Sequence, residues 1–349
     1  MPEELPPDRL LSVETLESFS IALMLGLGMP AADAHAVAHA FMIAEVRGVG
    51  SHGFRQLSHI HRKVTTKSVN KTPNISEIRA FAGTALLDGD NGLGQVVATA
   101  AMSRAIAIAR AAGVGIVAAK KSSHFAAAAP YAMMASDNGM VGIAMSNVGV
   151  TMAIHGSVSR SIGNNPIAFA SPGPDFPIVL DFATSIASWG KIGTYKRLGL
   201  NLPEEWFVGP EGEPTESTSG AVVRPFGGPK GSGLAVFIEI LTAALAGGSL
   251  LSEQGGWAEK EQPEGSCHTM IALDVARFIP YEEFISRVGD MATELKTAQP
   301  TPDVDEVLLP GERAWNHTLK CQSEGVLLDV ATVEQLNELA QEVGISPRL

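Results

Sequence analysis

Gly48-Val49-Gly50-Ser51-His52-Gly53 satisfies, letter for letter, the G-x-G-x-x-G pattern of a dinucleotide-binding turn. That pattern has physical meaning only between a strand and a helix, where glycines let the backbone approach a pyrophosphate at the helix N-terminus. Here the preceding run, residues 39–47, is apolar with helical spacing, and no helix clearly opens behind Gly53. The stretch therefore reads as a helix giving way to glycines, and the Rossmann reading of this pattern fails its context test. What the turn does present is a titratable imidazole beside a hydroxyl. Histidine exchanges protons near neutrality, with an unperturbed pKa of about 6.5, and a neighbouring serine orients it or relays the proton.

Working outward, residues 13–28 and 31–47 read as two amphipathic helices, the second entered through Pro30 and ended by Gly48. An Ala-rich helix is expected over 96–112, a buried strand over 115–119, a helix over 126–136, and strands over 141–145, 166–171 and 178–182. Residues 232–246 read as a strongly apolar helix after a glycine-rich turn, 267–275 as a strand and 281–296 as a helix. Residues 202–222, with their Gly, Pro, Glu, Ser and Thr, read as a surface excursion. The order is mixed α/β without internal repeats.

With 349 residues, 45% hydrophobic and 18% charged, the chain can bury a sizeable core and form two lobes of one globular unit. Cys267 and Cys321 are far apart and lack Cys-x-x-Cys spacing, so they form neither a disulfide framework nor a zinc site, and they suit a reducing cytoplasm. The acidic, proline-rich start, Met1-Pro2-Glu3-Glu4, does not read as an export signal. No apolar run reaches the roughly 18 residues of a membrane span. A net charge of −12 argues against nucleic acid and requires that a small anionic substrate find a local cationic pocket.

Seven short motifs follow one another: Ser51-His52-Gly53; Asp88 to Gly94; Ser122-Ser123-His124-Phe125; Gly163-Asn164-Asn165-Pro166; Asp181-Phe182-Ala183-Thr184-Ser185 with Gly190-Lys191; Gly227 to Gly233 around Lys230; and Leu309-Pro310-Gly311-Glu312-Arg313. In this order and spacing, from about Leu11 to the C-terminal segment, the chain resembles the malate/L-lactate dehydrogenase family. That family also holds ureidoglycolate dehydrogenase, 2,3-diketogulonate reductase and the cyclic ketimine reductases. The resemblance implies an α/β fold with a mixed sheet, a non-Rossmann NAD(P)-binding fold, in a cytoplasmic homodimer. It implies hydride transfer between NAD or NADP and a 2-hydroxy/2-oxo acid, a small carboxylic acid. Cyclic ketimine reduction is the in-class alternative, and a catalytically weak ligand-binding relative is another. Three segments are expected: 1–90 carrying the Ser-His pair, 91–310 binding cofactor and substrate, and 311–349 packing back on the N-terminal helices.

By the same resemblance His52 is the acid/base, with Ser51 relaying, although His124 is open as an alternative. Lys191 stands where dehydrogenase members carry lysine and ketimine reductases carry aspartate; an ammonium there would stabilise charge developing on a carbonyl oxygen. Asn164, Trp189 and Gly190 fall at substrate-lining positions. His124, Phe125, Ala126, Ala127, Ala128, Asp181, Phe182, Ala183, Lys230, Leu309, Pro310, Gly311, Glu312 and Arg313 fall on cofactor-holding stretches.

One departure matters. Relatives place an arginine five residues after the Ser51 position to clamp the substrate carboxylate, whereas this chain has Gln56 there and Arg55 one step earlier. A neutral amide cannot make the bidentate pair of a guanidinium, so either Arg55 takes over or the substrate differs. Trp189, where many relatives have arginine or histidine, makes the pocket more apolar. His35 and His39 have helical i, i+4 spacing but no third ligand nearby, so no metal is expected. His59 and His61, on an extended or turning segment, carry no distinctive signal.

Overall fold

The computed structural model describes residues 8–197, 199–255, 262–346 and 348–349. The first third runs β1 (Arg9–Leu11), α1 (Val13–Gly26), α2 (Ala31–Val46), α3 (Leu57–Thr65), β2 (Ser76–Phe81), β3 (Thr84–Asp88), α4 (Gly94–Ala112) and β4 (Val114–Ser122). The middle contributes α5 (Ala129–Ser136), β5 (Met140–Ser146), β6 (Met152–Ala153), β7 (Arg160–Ile162), β8 (Ile167–Ser171), β9 (Ile178–Phe182) and α6 (Trp189–Arg197). Then come β10 (Phe207–Val208), β11 (Val222–Val223), α7 (Pro229–Glu239), β12 (Ser266–Asp274), α8 (Tyr281–Lys296), α9 (Glu312–Glu324), β13 (Val326–Leu328) and α10 (Val330–Val343).

Seven strands form the central sheet in the order β2-β3-β4-β12-β5-β8-β9. Only β3 and β4 run parallel; the other five pairings are antiparallel. The sheet is thus mixed, as the resemblance implies. Its central strands are apolar because α4 and α5 cover them: Val97, Ala101, Ala105 and Ala109 of α4 and Tyr131 and Ala132 of α5 share a core with Val117, Ala144 and Met270. The alanines let α4 lie close to the sheet, which explains why its pattern reads as Ala-rich rather than Leu-rich.

A second core joins the two ends of the chain. Leu16, Phe19, Leu23, Phe41, Phe54, Leu57 and Ile60 pack with Val326, Leu328, Val333, Leu336 and Leu339, and β1 pairs antiparallel with β13. Ser12 caps α1 by accepting from the Thr15 amide at 3.1 Å, and Asp329 caps α10 by accepting from the Thr332 amide at 3.0 Å.

Three local expectations need correction. A helix does open behind Gly53: single 3₁₀ turns at Gly50–His52 and Phe54–Gln56 lead into α3. Its period is masked because the buried face carries His59 and Lys63 beside Leu57, Ile60 and Val64; His59 and His61 are therefore helical rather than extended. The stretch before the turn is still a helix, so the Rossmann reading fails on that count. Residues 202–222 are no mere excursion, since β10 and β11 join β6 and β7 in a four-stranded sheet with its own core of Ile192, Trp206, Phe207, Ala221 and Val223. The apolar helix over 232–246 begins earlier, at Pro229, and passes through a π-helical turn at Ile240–Ala244. Among the described residues no helix is long and apolar enough to cross a membrane.

Candidate active site

The turn after α2 is pinned from two sides. Glu45, on the last turn of α2, accepts the Phe54 amide at 2.9 Å, and Gln56 donates from Nε2 to the Ser51 carbonyl at 2.8 Å. Within this frame Ser51 Oγ and His52 Nδ1 are 3.0 Å apart. With the hydroxyl donating to Nδ1, Nε2 carries a hydrogen and can donate; with Nδ1–H donating to the hydroxyl, Nε2 is a base. Burial lowers the His52 pKa below its ordinary value, which favours the neutral ring. The start of α6 presses on this pair: a Cβ added at Gly190 would lie 2.4 Å from Ser51 Cβ, so only glycine fits there.

The His124 ring stands 5.9 Å from that of His52. Burial, then the charge of His52, Lys63, His59 and His268, hold His124 well below the ordinary histidine range. Its backbone amide donates to Glu264 Oε2 at 2.6 Å, while Glu264 Oε1 is 2.6 Å from Lys63 Nζ, both side chains being almost wholly buried. An ion pair between α3 and the segment before β12 thus fixes the backbone of one imidazole opposite the other. Phe125, next in sequence, stacks on the His268 ring at 4.9 Å. His268 in turn bridges the hydroxyls of Ser146 at 2.9 Å and Ser122 at 2.7 Å, and burial lowers its pKa to about 3. Ala126, with φ of +67°, sits in the left-handed region that a non-glycine residue adopts only when its surroundings impose it.

The stretches expected to hold the cofactor meet around β9. Asp181 accepts from the amides of Ala128 at 3.0 Å and Ala129 at 2.8 Å, at the start of α5. Desolvation raises its pKa to about 6 against the lowering influence of those amides and of Arg47. Two residues earlier the Val179 amide donates to the Pro310 carbonyl at 3.1 Å, and a Cβ on Gly311 would lie 2.9 Å from the Val179 backbone. The Lys230 turn joins the same strand from the other end: the Phe226 amide donates to Thr184 O at 3.0 Å, and Phe182 meets Phe226 edge to face at 5.6 Å. Lys230 and Arg313 are exposed, Ala127 is buried and Ala183 half-buried. Glu312 is otherwise engaged, since its carboxylate accepts the Leu309 amide at 2.8 Å and pairs with Lys296.

On the substrate side Arg55 has protein partners: its guanidinium pairs with Asp329 and donates from Nε to Thr332 Oγ1 at 3.2 Å, at the start of α10. Gln56 is spent on the Ser51 carbonyl. The exposed Lys191 holds its ammonium 4.9 Å from the centre of the Trp206 ring. Asn164 reaches Ser185 Oγ at 3.5 Å and accepts the Thr184 amide at 2.9 Å, while Trp189 is partly exposed at the head of α6.

Residues 11–337 match the family model described as malate/L-lactate dehydrogenase. The chain belongs to the malate/L-lactate dehydrogenase family. It is 36% identical to malate dehydrogenase of Pyrococcus horikoshii, over 97% of this chain and 95% of that one. It is 33% identical to L-sulfolactate dehydrogenase of Methanocaldococcus jannaschii, over 97% and 98% of the two chains. The crystal structure of malate dehydrogenase from Entamoeba histolytica superposes with a TM-score of 0.94 at 28% identity, covering 98% of this chain and 100% of that one. The mixed sheet is therefore this family's fold.

Sequence reading missed four residues that this geometry brings forward: Lys63, Glu264, His268 and Arg47. The first three are partners of partners, found only through contacts between distant segments. Arg47 lay in view, directly before Gly48, but a lone arginine at a helix end carries no signal of its own.

Proposed function

We propose that this member of the family is an NAD(P)-dependent dehydrogenase of 2-hydroxy acids, with His52 exchanging the substrate's hydroxyl proton. The observation that carries the reading is the Ser51–His52 pair at 3.0 Å, placed beside Gly190 and opposite His124. A bound nicotinamide would supply the hydride chemistry. The protein's own part is to take the hydroxyl proton on neutral His52 during oxidation and return it to the carbonyl oxygen during reduction. Ser51 serves either tautomer because its hydroxyl rotates. His124 to Ala128, Asp181 to Ala183, Lys230, Leu309 to Gly311 and Arg313 are the residues assigned to the cofactor, and Glu312 orders that last loop by accepting the Leu309 amide. Arg47 supports the fit of a phosphate-bearing group: it is a largely buried residue whose guanidinium makes no hydrogen bond or ion pair among the described residues. Asn164, Trp189 and Gly190 line the substrate side, and Lys191 serves the carbonyl oxygen on leaving the Trp206 face.

For this role we assign 1–90 to the proton-transfer pair, 91–310 to the cofactor and substrate residues, and 311–349 to the return onto the first helices, an assignment supported by the core that Val333 and Leu336 share with Leu16 and Phe19. A homodimer is favoured by the exposed apolar row Phe237, Ile240, Leu241 and Leu245 along α7 and its π turn. Two buried free thiols suit a reducing cytoplasm. The test is turnover of NADH and NADPH with oxaloacetate, pyruvate, sulfopyruvate and a cyclic ketimine. Oxidation of either dinucleotide by a 2-oxo acid supports the reading. Turnover with the ketimine alone, or with none of them, overturns it.

A further inference from the structure

Arg47 stands at the C-terminal end of α2, and only 9% of its surface is exposed. A guanidinium has five N–H donors and keeps its charge in proteins, so burying one without partners costs free energy. Among the described residues the Arg47 side chain nevertheless makes no hydrogen bond and no ion pair. None of its nitrogens is among the sealed, unsatisfied polar atoms, so part of the little surface it keeps lies at the guanidinium. The group is thus enclosed by protein on its stem and open at its charged end.

Its surroundings indicate what it meets there. Arg47 and Asp181 feel each other's charge without forming an ion pair. Asp181 is already held by the Ala128 and Ala129 amides, and its strand is bonded to Pro310 through Val179. α2 itself packs against α5 and α9, and the Val46 carbonyl, next to Arg47, accepts from Thr318 Oγ1 of α9 at 3.2 Å, so Arg47 lies near the place where α5, β9 and α9 converge. Arg55, the other arginine close to the Ser51–His52 turn, is occupied by Asp329. The chain as a whole carries a net charge of −12, so an anionic ligand depends on such a local cation.

Resting on the dehydrogenase reading above, we propose that Arg47 binds a phosphate of the nicotinamide dinucleotide, donating paired N–H bonds to its anionic oxygens. A carboxylate of the substrate offers the same oxygen chemistry. Convergence on the cofactor stretches rather than on His52 favours the phosphate.

The test compares wild type, Arg47→Met and Arg47→Lys by fluorescence titration with NADH and NADPH, alongside thermal melts with and without dinucleotide. Adenosine, which lacks phosphate, serves as the control ligand. Arg47→Met should lose at least tenfold in affinity for both dinucleotides while adenosine binding stays within twofold. Its ligand-free melting temperature should hold, because no hydrogen bond or ion pair among the described residues is lost, and its dinucleotide-induced shift at a fixed dinucleotide concentration should shrink. Arg47→Lys, with a charge but no fork, should fall between the two. Dinucleotide affinities within twofold of wild type in both variants overturn the assignment, as does a weakened KM for the 2-oxo acid alone, which would give Arg47 to the substrate. Arg47→Met that fails to fold, with Arg47→Lys folded and binding NADH as wild type does, also overturns it. Wild-type protein that binds neither dinucleotide overturns the cofactor reading and this assignment together.

Discussion

Removing the Glu264 carboxylate should damage stability and catalysis by separable routes. Glu264 and Lys63 have side chains only 9% and 6% exposed, with Oε1 and Nζ 2.6 Å apart. Breaking a buried pair from one side leaves the other charge stranded and costs about 3–5 kcal/mol, whereas replacing both by apolar groups of similar volume is often near neutral. Glu264→Leu should therefore lose about 3–5 kcal/mol in urea unfolding, and the double variant Lys63→Met/Glu264→Leu should recover most of it. Burial already holds Lys63 below its ordinary pKa, with Glu264 opposing that shift. Without Glu264 the depression deepens, so the unfolded chain binds more protons than the folded one. The single variant should then gain stability as pH rises from 7 towards 10. Catalysis should not recover in the double variant. The His124 amide has lost its charged acceptor at 2.6 Å, worth about 1.5–3 kcal/mol, or roughly 10- to 150-fold in kcat/KM if His124 must face His52. A loss below about 1 kcal/mol in Glu264→Leu, or a double variant no more stable than the single, would refute the buried-pair account. Full activity in the double variant would refute the anchoring of His124.

His52→Ala should lower kcat by roughly 10²- to 10⁴-fold with NADH affinity nearly unchanged; because burial lowers the wild-type imidazole pKa, the acid limb of kcat/KM for oxidation should lie below the ordinary value of about 6.5, and a limb above it would contradict a buried neutral base. Arg55→Ala should cost about 1 kcal/mol or less of stability, its pair with Asp329 being a third exposed on each side, with KM for acidic substrates unchanged. A tenfold rise in that KM would restore Arg55 as the carboxylate clamp. Gly190→Ala places a methyl 2.4 Å from Ser51 Cβ; since α6 or the turn must give way, kcat should fall at least tenfold, and near-normal kinetics would mean that the two segments separate during turnover.

Much of the framework is legible along the chain because it is written in local chemistry. Pro30 and Gly48 bracket α2, the apolar runs mark β4, β5, β8, β9 and β12, and the Ser-His pair and the motif order identify the family. Local pattern fails where a buried face is polar, as with His59 and Lys63 on α3, or where short strands are held by a sheet built from distant parts, as with β10 and β11. The helix after Gly53 was hidden for the first reason and the small sheet for the second.

The sequence by itself determined that a proton-carrying imidazole follows a helix rather than a strand, and hence that a glycine pattern of Rossmann form belongs to another fold. It could not determine which arginine is available to a ligand. Arg55 and Arg47 stand eight residues apart with the same charge, and ion pairing depends on what the fold brings opposite each. Asp329, 274 residues beyond Arg55 in the chain, arrives at the head of α10 and engages it. Arg47 has no such partner among the described residues, and Asp181, whose charge bears on it, is already held by two amides. That difference lies in long-range packing, which alone decides where a charge is neutralised and where it is left open.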